Sequence, residues 1–162
     1  MNDLDHGPFD EEAFMSQTTD QEGSTKVIPL PRGDYLATIE AIKPRPWKSE
    51  KTGKSGLSVD VTYAIIDDGN LLEAQIGRPP KTTQGYFCDL IEGTSQLDFS
   101  TGKNVQINRI RDACGQNIAG QAWNLGMLRG AGPISLVIVQ DPDKDDPKTI
   151  YNRVKAVGRP QA

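Results

Sequence analysis

The chain has 162 residues, one domain's worth. A domain of that size buries roughly 70% of its unfolded surface, so it needs neither a metal nor disulfides to fold. Only 36% of residues are hydrophobic, the formal net charge is -4, and no apolar run approaches the ~18 residues of a transmembrane helix. Sixteen Gly and eleven Pro exceed what a helical bundle carries and suit short strands joined by turns. The acidic start, Met1 to His6, lacks the apolar stretch of a secretory signal. These features exclude membrane, disulfide-rich secreted, coiled-coil and collagen-like classes.

Seven of the 22 acidic residues lie in residues 1–25 with no Lys or Arg, a charge of -7. The other 15 face all 18 Lys and Arg, which leaves +3 on residues 26–162. An acidic arm therefore precedes a mildly basic domain. With only Leu4, Phe9, Phe14 and Met15 as large apolar residues, the arm cannot form a core and is expected to be flexible. It serves as a solubilising tail, or it competes for the domain's basic groove or docks a partner through Phe9 and Phe14.

Val27 to Asp34, punctuated by Pro29, Pro31 and Gly33, leads into the domain. The first strand is expected over Tyr35 to Lys43, with imperfect alternation, and Pro44 and Pro46 are expected to stop it. Residues 43–56 read as a turn-rich loop carrying Lys43, Arg45, Lys48, Lys51 and Lys54 against Glu50 alone. Leu57 to Ile66 is the clearest strand: Leu57, Val59, Val61, Tyr63 and Ile65 share one face, which must meet a core. Asp67 to Asn70 is a turn signal, and Leu71 to Ile76 reads as a short strand.

Gly85 to Ile91 is a further expected strand, on which Tyr86 and Phe87 point to opposite faces. A helix follows, opened by Ser100 or Thr101, with Val105, Ile107, Ile110 and Cys114 on one stripe and Gly115 as its stop. Arg109 and Arg111 do not share a face of it. Ala119 to Gly132 reads as a short helix or an extended approach. Ile134 to Gln140 and Ile150 to Val157 are the last two strands, joined across the acidic turn Asp141 to Pro147. On the last strand Tyr151, Arg153 and Lys155 are expected on one face. The fold is therefore mainly β: a small OB-like five-stranded barrel, one covering helix and the acidic arm.

Chemistry-bearing residues are basic and aromatic. Cys88 and Cys114 form no CxxC, His6 is the one histidine, and no paired-carboxylate site stands out. No metal, cofactor or enzymatic activity is expected. Lys51-Thr-Gly-Lys-Ser has the look of a P-loop but lacks its leading Gly. Single-strand binding needs cations that follow phosphates and aromatic faces on which bases stack. Trp47 amid its five cations offers both, unless it folds back onto the barrel. The face Tyr151, Arg153, Lys155 offers a second platform, and Tyr86 a further stacking partner. Trp123 reads as core or interface.

Three segments carry a resemblance: Pro29-Leu-Pro-Arg-Gly-Asp-Tyr-Leu-Ala-Thr-Ile, Lys51-Thr-Gly-Lys-Ser-Gly-Leu-Ser-Val-Asp-Val-Thr-Tyr, and Tyr151-Asn-Arg-Val-Lys-Ala-Val. Together they resemble the small bacteriophage-encoded single-stranded-DNA-binding proteins, over residues 28–158. The resemblance implies an OB-like fold and sequence-independent binding of single-stranded DNA, in support of replication or recombination in the host cytoplasm. Trp47 and one or more of Tyr35, Tyr86 and Tyr151 would stack bases. Lys43, Arg45, Lys48, Lys51, Lys54, Arg153 and Lys155 would hold phosphates. Expected partners are single-stranded DNA, replication or recombination proteins and further copies of the chain. The competing expectation is a phage structural or assembly protein whose basic loop contacts another subunit.

The charge asymmetry gives a first prediction. Deleting residues 1–25 strengthens single-strand binding at low salt, measured by oligonucleotide titration. Equal affinity of the two forms ends the competition reading.

Overall fold

A computed structural model describes residues 8–161, so His6 and Leu4 lie outside the described residues. The fold is mainly β. Five strands, β1 (Gly33–Lys48), β2 (Ser55–Ile65), β3 (Lys81–Phe87), β4 (Ile134–Pro142) and β5 (Ile150–Gly158), form one antiparallel sheet in the order β3-β2-β1-β4-β5. Among the described residues three α-helices accompany it: α1 (Glu11–Met15), α2 (Leu71–Ile76) and α3 (Val105–Ala113). The sheet is open, because no backbone ladder joins β3 to β5 among the described residues. The two outer strands nonetheless meet: Val154 N–H donates to the Gln84 side-chain oxygen at 3.0 Å.

β1 is longer than its prolines suggest. It pairs with β4 only from Gly33 to Ala37 and with β2 from Ala37 to Lys48. Pro44 and Pro46 therefore lie where β1 has one neighbouring strand, and a missing N–H on the free side breaks no ladder. The loop expected over residues 43–56 shrinks to a tight hairpin, closed by Ser49 N–H to the Lys54 carbonyl at 2.8 Å. Gly53 takes φ 69 there, a left-handed conformation that suits glycine.

The imperfect alternation of β1 is a β-bulge. Ile39 pairs with Tyr63 and Ala41 with Thr62, so Glu40 is an extra residue. Ala37 and Ile39 before it and Ile42 after it are all buried. β5 carries a second bulge. Val137 pairs with Ala156 and Ile138 with Val154, which leaves Lys155 as the extra residue. Val154 is buried and Val157 packs against the core. The expected face of Tyr151, Arg153 and Lys155 is thus broken at Lys155.

The core is shared by β1, β2 and β4, with Val59, Val61, Tyr63, Leu136 and Ile138 at its centre. The fully buried Leu30 plugs into it from the lead-in segment. Its backbone is held by the closing strands: Asn152 Oδ1 accepts from Leu30 N–H at 2.8 Å, and Gln140 Nε2 and Asn152 Nδ2 donate to its carbonyl at 2.8 and 2.9 Å. The Asn of the Tyr151-Asn-Arg-Val segment is therefore a structural clamp.

Leu71 to Ile76 is a helix, where a strand was expected. Both carboxylate oxygens of Asp67 accept from its first turn, from Leu72 N–H and Glu73 N–H at 2.9 Å each. Gly77 at φ 77 ends it. β3 spans Lys81–Phe87, earlier in the chain than the expected Gly85 to Ile91. Residues 125–128 form a short 3-10 turn that buries Leu128.

α3 begins later than Ser100 or Thr101, and its cap is Asn104. Asn104 is 4% exposed and knots the preceding loop. Its Oδ1 accepts from Asp89 N–H at 2.7 Å, its Nδ2 donates to the carbonyls of Asp89 and Asp98 at 2.9 Å each, and its own N–H donates to Asp89 Oδ2 at 2.7 Å. Ile107, Ile110 and Ala113 form the buried stripe, whereas Val105 faces solvent. Cys88 and Cys114 are free and half-buried; burial raises both thiols' pKa, that of Cys114 to about 11.

Residues 8–25 are exposed throughout, and their hydrogen bonds, among the described residues, stay within the segment apart from Lys26 N–H to Ser24 Oγ at 3.2 Å. α1 is capped by Asp10, whose Oδ1 accepts from Ala13 N–H at 3.2 Å. Contact with the sheet begins at Lys26, which pairs with Asp146 in the β4–β5 turn. This bond holds the Asp146 carboxyl below its ordinary pKa.

Asn104→Ala removes the knot and strands buried backbone groups. Urea unfolding is expected to show a loss of about 2–4 kcal/mol. A loss below about 1 kcal/mol rejects the knot's structural role.

Candidate nucleic-acid interface

The Glu40 bulge sets which β1 side chains leave the core. Lys43, Arg45 and Trp47 follow it on the outer face, opposite Asp60, Ser58 and Gly56 of β2. Phe87, Gly85 and Thr83 of β3 continue that face, since Ser58 pairs with Phe87 and Asp60 with Gly85. Phe87 is 75% exposed and stands edge-on to Trp47, with ring centroids 5.6 Å apart and planes at 82°. The sheet thus presents two neighbouring aromatic rings beside the cationic hairpin.

Two glycines make room for this surface. A Cβ at Gly56 would fall 2.9 to 3.0 Å from the Trp47 ring, and one at Gly85 would fall 3.1 Å from Asp60 Oδ1 and 3.4 Å from Arg45 Nη2. Arg45 pairs with Asp60 through Nε at 3.0 Å, with Nη2 at 3.4 Å from the other oxygen. Lys43, Lys48, Lys51 and Lys54 make no ion pair among the described residues and are exposed. Trp47 is half-buried, and its Nε1 is buried without a hydrogen-bond partner.

The tyrosines divide. Tyr35 packs against the core and donates its hydroxyl to the Pro31 carbonyl. Tyr86 also turns inward, and its hydroxyl lies 2.8 Å from that of the fully buried Tyr63. Burial raises the pKa of Tyr35, Tyr63 and Tyr86. Both side chains are partly buried, with their hydroxyls engaged. The exposed member of the Tyr86–Phe87 pair is Phe87, which the sequence reading left unassigned. Adjacent aromatics on one strand face opposite ways, and which one faces out depends on register with β2.

Tyr151 and Arg153 sit on β5, opposite Asp141 and Val139 of β4. Tyr151 is 57% exposed, and Arg153 Nε pairs with Asp141 at 2.5 Å. Lys155 lines a 210 Å³ recess at the β3–β5 junction with Gln84, Tyr86 and Arg153. No hydrogen bond or ion pair links these residues to the Trp47 group among the described residues. Trp123 belongs to a separate cluster: its Nε1 donates to Gln116 at 2.8 Å, Arg111 lies 4.7 Å from its ring centre, and Phe99 stands edge-on at 6.4 Å.

No protein-family model matches the sequence, and no curated protein matches it. Among the described residues no helix is long and apolar enough to cross a membrane, and no group of three His, Cys, Asp or Glu side chains could hold a metal ion.

The opposite facing of neighbouring aromatics is testable by stability. Tyr86→Ala is expected to cost about 3 kcal/mol, and Phe87→Ala under about 1 kcal/mol. Chemical denaturation of both variants measures the difference; equal costs would contradict the assigned register.

Proposed function

We propose that the chain is a non-catalytic single-stranded-DNA-binding protein built on an OB-like, partly open barrel. Three features support the barrel: the strand order, the Gln84 link between the outer strands, and a helix between β3 and β4. In such barrels the faces of strands 2 and 3 and the loop between strands 1 and 2 bind oligonucleotides. The observation that carries the functional reading is the exposed Phe87 ring beside Trp47, adjoining a hairpin whose Lys48, Lys51 and Lys54 make no ion pair among the described residues. Bases stack on the two rings while Lys43 and the hairpin lysines follow the phosphates. Arg45, braced by Asp60, adds a fixed cation between them. Tyr151, Arg153 and Lys155 form a secondary patch, weakened where Asp141 already neutralises Arg153.

The reading is sequence-independent, because stacking and phosphate contacts carry no base identity. Its setting, on the resemblance, is phage replication or recombination in the host cytoplasm, with proteins of those processes and further copies of the chain as partners. The alternative, a phage assembly protein whose hairpin contacts another subunit, predicts no oligonucleotide response.

The test is a titration with oligo-dT and a matched duplex at two salt concentrations, read by tryptophan fluorescence. Oligo-dT is expected to quench and duplex to leave the signal unchanged, with log K falling by about 0.7 per neutralised phosphate for each decade of salt. Phe87→Ala is expected to lose about 1–3 kcal/mol of binding, roughly 5- to 150-fold. Silence toward both nucleic acids, or full affinity in Phe87→Ala, overturns the reading.

A further inference from the structure

We propose that Trp47 is a moving platform held closed over Gly56, and that its opening selects unpaired bases. The proposal rests on the single-strand reading above and names the residues that set its specificity. Three observations converge on Gly56. Its backbone does not adopt the left-handed conformation that would require glycine. A Cβ there would strike Cζ2, Cε2 and Nε1 of Trp47 at 2.9 to 3.0 Å, so what the missing side chain supplies is space for the indole. The indole that fills this space has its N–H buried with no acceptor, the one such side-chain atom among the described residues.

A buried donor without a partner costs about 1–3 kcal/mol. The other tryptophan avoids that cost, since Trp123 donates to Gln116. The closed position of Trp47 is therefore held by packing on Gly56 and on the edge of Phe87, against an unmet hydrogen bond. An unpaired base with its phosphate offers what the closed state lacks: a flat face to stack on and an oxygen to accept from Nε1. Swinging the indole outward satisfies the N–H and vacates a slot over Gly56, beside Phe87, that one base can enter. A base in a duplex is stacked on both faces and cannot enter it. The residues that discriminate single strand from duplex are thus Gly56 and Trp47, while the lysines serve both.

The experiment follows the two indole N–H resonances of the full chain by NMR, assigned with Trp123→Phe. On addition of oligo-dT to wild-type protein, the Trp47 signal is expected to move downfield as it gains an acceptor, while that of Trp123 stays. In the free protein, Gly56→Ala is expected to expel the indole and raise acrylamide quenching of Trp47. The same variant is expected to weaken oligo-dT binding about five-fold or more, because its Cβ fills the slot over Gly56 that the base would enter. If wild type binds oligo-dT while Trp47 stays unmoved, or folded Gly56→Ala binds as tightly as wild type, the gate is overturned and the single-strand reading stands. If wild type binds no oligo-dT, the reading falls and takes the gate with it. The wild-type measurement decides the matter even where Gly56→Ala does not fold.

Discussion

One extra residue in β1 governs both faces of the sheet. A strand alternates strictly, so without Glu40 the set Ala37, Ile39, Ile42 could not all face inward. The bulge resets the alternation once, and each half of a sixteen-residue strand then serves the same core. Lys43, Arg45 and Trp47 consequently emerge together beside β2 and β3. Shifting that parity would bury a lysine and an arginine at a cost no packing could offset. Interior and outer surface are therefore set by the same local event.

Where each residue type had one physical reason to be where it is, the sequence was legible. The β2 alternation and the β-branched runs of β4 and β5 identified strands because burial on one face dictated them. Gly115, at φ 72, ended α3 as its position suggested. Legibility failed where a side chain replaced a backbone signal. α2 forms because the Asp67 carboxylate caps it, and α3 starts at Asn104 because that amide ties down the Asp89 and Asp98 carbonyls. Neither bond follows from periodicity. Pro44 and Pro46 misled because their effect depends on whether a second strand lies alongside, which is a tertiary fact.

The candidate site was legible in its charges and only partly in its rings. Lysines on a hairpin face solvent in almost any fold, so Lys48, Lys51 and Lys54 stand where their composition suggests. Aromatic rings are apolar and polar at once, and register decides which use prevails. Tyr35 and Tyr86 pack, partly buried, against the core, each with its hydroxyl bonded, and Phe87 stayed outside. Gly56 and Gly85 carried no signal of their own, because the space a glycine leaves has meaning only once the strand opposite is known.

The seam between β3 and β5 gives the molecule a direction of weakness. The four neighbouring strand pairs of the open sheet are joined by backbone ladders, whereas β3 and β5 meet through the Gln84 side chain, which accepts from Val154 N–H. Local opening follows the cheapest set of broken contacts, and here it runs along that line. The lead-in segment is fastened at one border of that seam, through Leu30 to Asn152 of β5, and to Gln140 of the neighbouring β4. A pull on the N-terminal arm is therefore transmitted first through Lys26 to the β4–β5 turn and then through Leu30 to β5, and the arm becomes a lever on an edge strand of the sheet.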